Sequence, residues 1–262
     1  MSIPAQVQEL IDGSGNNFHS KVARWFSSNE WRIAVSPYYM DQTQQKAREL
    51  DLVAERSWPV KDGFGRWEGD VVVRLFVECK FVSGHSVFWF TNKNQAAVEE
   101  LVCSSGGFRK DNSYTAQHHY LASGNRVAKV FASTNARGQE AEPFYKALNQ
   151  ALNGLVSLRG QPTSAATSSR GADRVLAILD YPIVVCSSFA FLYAADFDGQ
   201  HEPSEIRDNF QLEVQYAYVD PSGRTNDNLF VLDFVEYEKL SQFIASIQRD
   251  AEIAGYLSSS GL

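Results

Sequence analysis

Cysteine is scarce in this 262-residue chain: Cys79, Cys103 and Cys186 are the three, an odd number with no pair at metal-ligand spacing. That argues against a disulfide-stapled scaffold or a zinc ribbon and fits free thiols in a reducing compartment. Long hydrophobic runs are lacking too. The most apolar stretch, Tyr181 to Ala195, is broken by Pro182, Cys186, Ser187 and Ser188, so none could span a bilayer. Met1 to Gln6 carries no basic region followed by a hydrophobic one. The expectation is a cytoplasmic protein with no membrane partner. Positive charge is in deficit as well, 24 Lys and Arg against 31 Asp and Glu, a net charge of −7. This excludes coating of nucleic acid by bulk electrostatics but leaves room for a local basic patch, or for carboxylates gathered around a metal. P-loop, Rossmann glycine fingerprint and cysteine zinc motifs are missing, and Ser187-Ser188 has no nucleophile-elbow context.

What is present suffices for a core: 44% hydrophobic and 13% aromatic residues in a chain long enough for one large domain. Phe18, Val22, Trp25 and Phe26 recur at helical spacing, which predicts a helix over Asn16 to Ser28 with an asparagine cap. Trp31 to Tyr39 reads as a strand, Asp41 to Ala47 as a polar loop, and Leu50 to Ser57 as a second strand. A turn-rich connection, Pro59 to Gly69, leads to a third, Val71 to Val82. Strong helices are predicted over Glu140 to Leu158 and Tyr237 to Ile253. Late strands are predicted at Val175 to Leu179, Ile183 to Cys186, Ala190 to Tyr193, Leu212 to Val219 and Leu229 to Phe234. Gln161 to Ala172, rich in Ser, Thr and Ala, reads as a mobile surface loop. With neither repeat nor boundary, residues 1–262 are assigned to a single α/β domain, a mixed central β-sheet flanked by helices.

The chemistry concentrates in two segments, Arg48-Glu49-Leu50-Asp51-Leu52 and the strand ending in Glu78-Cys79-Lys80. Two residues apart on a strand, Glu78 and Lys80 share one face while Cys79 takes the other. If Asp51 lies on a neighbouring strand, two carboxylates and an ammonium converge, a costly cluster unless a divalent cation joins it. No other lysine has an acidic residue two positions before it. The competing reading is a surface ladder of cross-strand ion pairs.

The succession of helix, strand ending near a tyrosine, polar loop, Arg48-Glu49-Leu50-Asp51-Leu52 and a strand closing in Glu78-Cys79-Lys80 resembles the PD-(D/E)XK nuclease superfamily. Within it the chain is most similar to type IV restriction enzymes and related bacterial defence nucleases. The motifs lie within residues 16–103. The resemblance implies a restriction-endonuclease-like fold and hydrolysis of phosphodiester bonds, with DNA as the expected substrate, in a defence or DNA-processing context. It implies Mg2+ or Mn2+ held by Asp51, Glu78 and the peptide carbonyl of Cys79, with Lys80 orienting the attacking water. Glu49 is a further candidate. His19 stands where that branch often carries a helix glutamate; it could serve the metal, although a half-buried histidine satisfied by a neighbour is commoner. Gln150 is the candidate for a glutamine near the site, with Gln95 and Gln117 competing. His118-His119 reads as loop, since adjacent side chains point apart on regular elements. The alternative is a nuclease-fold binding or sensor subunit with little turnover. An RNA substrate is not separable by sequence. An acidic nuclease without its own DNA-binding module is expected to gain grip through a homodimer or a partner subunit.

Overall fold

The computed structural model describes residues 4–13, 15–134, 143–159, 174–199 and 202–259. The expected loop at 161–172 lies outside the described residues. Two helices open the chain, α1 (Ala5–Gly13) and α2 (Gly15–Ser28), followed by strands β1 (Arg32–Val35), β2 (Tyr38–Asp41), β3 (Lys46–Glu49), β4 (Leu52–Lys61), β5 (Trp67–Lys80) and β6 (Ser86–Asn92). Helix α3 (Gln95–Ser104), short helix α4 (His119–Ala122), strand β7 (Arg126–Ser133) and helix α5 (Pro143–Leu158) come next. The chain closes with β8 (Val175–Cys186), β9 (Leu192–Asp196), β10 (Ser204–Glu205), β11 (Phe210–Val219), β12 (Thr225–Glu236) and helix α6 (Leu240–Ser259).

Ten strands form one sheet in the order β1-β4-β5-β8-β12-β11-β7-β6-β9-β10, and β2 and β3 form a separate hairpin. The architecture is therefore α/β with a large mixed central sheet flanked by helices. β1, β4 and β5 run antiparallel in sequence, as expected from the meander, and β8 then adds parallel to β5. β5 is covered on both faces. Val71, Val73, Leu75 and Val77 pack with Phe18, Val22 and Phe26 of α2, Val98 of α3, and Phe243 and Ile247 of α6. Phe76 on the opposite face packs with Phe144, Leu148 and Leu152 of α5 and with Phe88 and Phe234. Arg74 shares that second face. It lies opposite Asp180 in register and holds it through Nε at 2.7 Å and Nη2 at 2.8 Å, while Nη2 also reaches the Arg159 carbonyl at the end of α5.

Several predicted boundaries move, each for a local reason. The expected loop at Asp41 to Ala47 is instead a tight hairpin, because the Asp41 carboxylate accepts the Thr43 and Gln44 N–H groups and closes the turn between β2 and β3. Ser36, at φ 51°, breaks the expected single strand at Trp31 to Tyr39 into β1 and β2. β4 continues through Pro59, opposite Asp70. β1 pairs with β4 only as far as Glu55, so the missing N–H of Pro59 lies on an open edge. Val175 to Leu179 and Ile183 to Cys186 are one strand rather than two. Pro182 pairs with Phe76 on one side, and the partnership with β12 starts just after it, at Ile183.

Removing Asp180 strands a buried guanidinium. Asp180→Ala is expected to lower unfolding stability by about 3 kcal/mol, read as a shift of the urea midpoint with unchanged slope.

Candidate active site

The register that sets Leu52 opposite Val77 brings Asp51, just before β4, beside Glu78. Two hydrogen bonds weld the junction. The Cys79 N–H donates to Asp51 Oδ2 at 2.8 Å, and the Asp51 N–H donates to Glu78 Oε1 at 3.3 Å. Lys80 Nζ stands 4.0 Å from Glu78 Oε2. Glu78 is only 1% exposed. Burial, then the nearby Asp51 charge, push its carboxyl up to about 8, against the opposing pull of Lys80. The side chain of Cys79 points to the other face, among the residues around α2 and α6, where burial raises its thiol pKa. Only its backbone faces the junction.

The structure brings Asp51, Glu78 and Lys80 together and disperses the additional candidates around them. Glu49 ends β3 opposite Tyr38. Hydrogen bonds from Ser36 and Tyr38 hold its carboxyl below the usual range, and the His19 charge adds to the lowering. His19 is thus a neighbour of Glu49; its Nε2 is buried and meets no hydrogen-bond partner among the described residues. Gln150 reaches from α5 and donates through Nε2 to the Glu49 carbonyl at 2.8 Å, while its own carbonyl accepts the Tyr39 hydroxyl at 3.3 Å. It positions the segment that delivers Asp51. Helix α5 can sit this close because Gly154 carries no Cβ; one built there would lie 3.1 Å from Leu50 Cδ2. Gln95 and Gln117 instead bond Asn125 and Ser113.

The reading of His118 and His119 as side chains pointing apart is corrected. His118 is the N-cap of α4, outside the regular helix, and its ring stacks on that of His119 with centroids 5.0 Å apart. His119 Nδ1 lies 2.5 Å from Asp250 Oδ2, and Nε2 lies 3.0 Å from Asp233 Oδ2. Asp233 also accepts from Gln211 at 3.2 Å, and Gln211 accepts from Lys93 at 2.8 Å. Tyr181 donates to Asp250 at 3.1 Å, and His118 Nδ1 accepts the Tyr120 N–H at 3.1 Å. His118, His119 and Asp250 set ligand-type atoms within 4.8 Å of one another. Each of those atoms already has a partner, so the group reads as a closed polar tie, with the cations Lys93 and His119 matching the anions Asp233 and Asp250. A signal for it existed: Asp250 falls on the apolar stripe of α6 with Phe243, Ile247, Ala254 and Leu257.

Burial would lower the His119 value, but Asp233 and Asp250 overcome it and raise it to about 10 from 6.5, whereas burial drives His118 down to about 3. His119 therefore contributes its full stabilisation below pH 6.5 and loses it as pH rises toward 10. Thermal melts across that window are expected to fall steadily in the wild type and to flatten in His119→Gln.

Glu78 has the same sign: its raised value makes the charged form a burden that grows as pH passes from 4.5 through about 8. In chelating buffer above pH 8 the neutral Glu78→Gln chain should melt higher than wild type. A cation site built on Glu78 would make the melting temperature of the wild type, but not that of Glu78→Gln, rise with Mg2+ or Mn2+; an equal response of both would remove Glu78 from any such site.

No family model, curated protein or solved structure matches the chain. Among the described residues, no helix is long and apolar enough to cross a membrane.

Proposed function

We propose that the chain is a metal-dependent nuclease that hydrolyses phosphodiester bonds, with DNA as substrate, on a restriction-endonuclease-like fold and in a defence or DNA-processing context. The observation that carries the reading is the pairing of Asp51 with a buried Glu78, at a junction that Lys80 approaches to 4.0 Å. Two hard oxygen donors suit Mg2+ or Mn2+, and like charges held this close are relieved by a cation. The order α2, β1, β4 and β5 agrees with the helix and strands of the resemblance, with the β2–β3 hairpin in place of its polar loop, and this supports the reading.

Asp51 and Glu78 would hold the ion, which supplies Lewis acidity to the phosphoryl oxygens and a bound water of lowered pKa. The two backbone hydrogen bonds at the junction fix both carboxylates before substrate arrives, so little reorganisation is left for the reaction. Lys80, 19% exposed, is the cation able to meet a phosphate and to orient the attacking water. Gln150 and Tyr39 act through the backbone as positioning residues. Grip on the substrate is proposed to need a second copy of the chain or a partner subunit.

Cleavage of linear, supercoiled and single-stranded DNA and of RNA, with and without Mg2+ or Mn2+, tests the reading. Wild type should cut only with metal, and Asp51→Ala and Lys80→Ala should each lose at least about a hundredfold in rate. A folded wild type that binds divalent metal yet cuts none of the four would favour a nuclease-fold binding or sensor role.

A further inference from the structure

Beside the carboxylate junction opens a cleft of about 660 Å3, between α5, the β2–β3 hairpin and β11. It lies within the range that holds small ligands. Gln150 joins the two features, since it lines the cleft and donates to the Glu49 carbonyl two residues before Asp51. Tyr39 lines the cleft and stands close enough to Glu78 for that carboxylate to help raise its hydroxyl pKa, after burial. Lys146 lines it as well and pulls the Glu78 value down.

The walls of the cleft are poor in acid. In a protein of net charge −7, the sixteen residues of α5 contain no Asp or Glu. The side of α5 away from the core offers Tyr145, Lys146, Asn149, Gln150 and Asn153 to the cleft, and Arg48 adds a second cation from the hairpin. The one acid among the lining residues, Asp41, is committed: it faces Arg48 at 3.8 Å, accepts from Asn153 at 3.3 Å and caps the hairpin turn. Tyr216 from β11 donates to Asn149 Oδ1 at 2.9 Å, and Asn149 Nδ2 donates to the Tyr145 carbonyl at 2.8 Å, so ring and amide are held in place. A primary amide has two donors and two lone pairs, and Asn149 spends one of each on these bonds.

Aromatic rings for stacking, oriented amides for base edges and cations for phosphate, next to a site that would cut a phosphodiester, are the chemistry of nucleotide recognition. A base inside an intact duplex cannot enter a cleft walled by a helix, a hairpin and a strand; it must first leave the stack. We propose that this cleft takes one unstacked nucleobase of the substrate strand, so that the chain acts on single-stranded or locally unpaired nucleic acid in preference to intact duplex. The inference rests on the nuclease reading of Asp51, Glu78 and Lys80 and names its substrate. Tyr145, exposed at the mouth, is the stacking ring, and Asn149 is the edge reader.

The test uses the full chain and an oligonucleotide carrying the fluorescent base 2-aminopurine, presented single-stranded, as one unpaired position in a duplex, or fully paired. Binding is read in the Lys80→Ala background so that the probe is not consumed, and cleavage of the same three probes is read with wild type and Mn2+. The single-stranded and unpaired probes should bind roughly tenfold or more tightly than the paired one. Adding Tyr145→Ala should remove that advantage, while Tyr145→Phe keeps it and Asn149→Ala weakens it. Wild-type cleavage should follow the same order. Equal binding of all three probes, or binding untouched by Tyr145→Ala, overturns the cleft proposal even if wild type cuts duplex efficiently, and the nuclease reading then stands alone. Tyr145-dependent binding of unpaired probes without any cleavage by wild type leaves the base cleft in place and removes the nuclease.

Discussion

A strand buried on both faces tolerates charge only where a partner meets it, and β5 is such a strand. From Val71 to Val77 it is enclosed by α2, α3 and α6 on one side and α5 on the other, with β4 and β8 along its edges. Its polar residues therefore define the protein. Arg74 is answered by Asp180 directly across the sheet, which fixes β8 beside β5 and ties the end of α5 to the same spot. Glu78, four residues on and on the same face, is answered by Asp51, a second carboxyl group. The first pairing satisfies itself, and the second sets two carboxyl groups side by side with Lys80 at 4.0 Å and Lys146 farther off. The proposed cation would relieve the second cluster, as Asp180 relieves Arg74.

The buried tie around His119 shows what full satisfaction looks like in this molecule. From Lys93 through Gln211, Asp233 and His119 to Asp250, each side chain is hydrogen-bonded to the next, and two basic groups face two carboxyls. It joins α3's leading edge, β11, β12, α4 and α6, five elements that no local sequence pattern would bring together. Its role is to hold α6 and α4 against the sheet in one register, and its specificity comes from hydrogen-bond directions that an apolar core lacks.

Around the carboxylate junction the supporting residues act through the backbone. Gln150 grips the Glu49 carbonyl, Tyr39 grips that of Gln150, and Gly154 lets the helix lie close over Leu50. The same helix that steadies the junction furnishes the acid-free wall of the neighbouring cleft. One element thus serves both the proposed chemistry and the proposed choice of substrate, and a shift of α5 would disturb them together.

Period-two alternation placed Glu78 and Lys80 on one face, the apolar stripes announced α2, α5 and α6, and the acidic balance was plain from composition. These properties follow from residues close along the chain, and so the sequence by itself determined them. The contact of Asp51 with Glu78 spans 27 residues and depends on the register of β4 against β5. The partners of His119 lie 114 and 131 residues away, so a pair of adjacent histidines gave no hint of their convergence. The hairpin hidden in Asp41 to Ala47 turned on a side chain capping its own turn, and the continuity of β8 through Pro182 on which neighbour borders that residue. Only the tertiary structure decided these points, because hydrogen bonds and charges between distant segments are fixed by strand register and helix docking, which no short stretch of sequence contains.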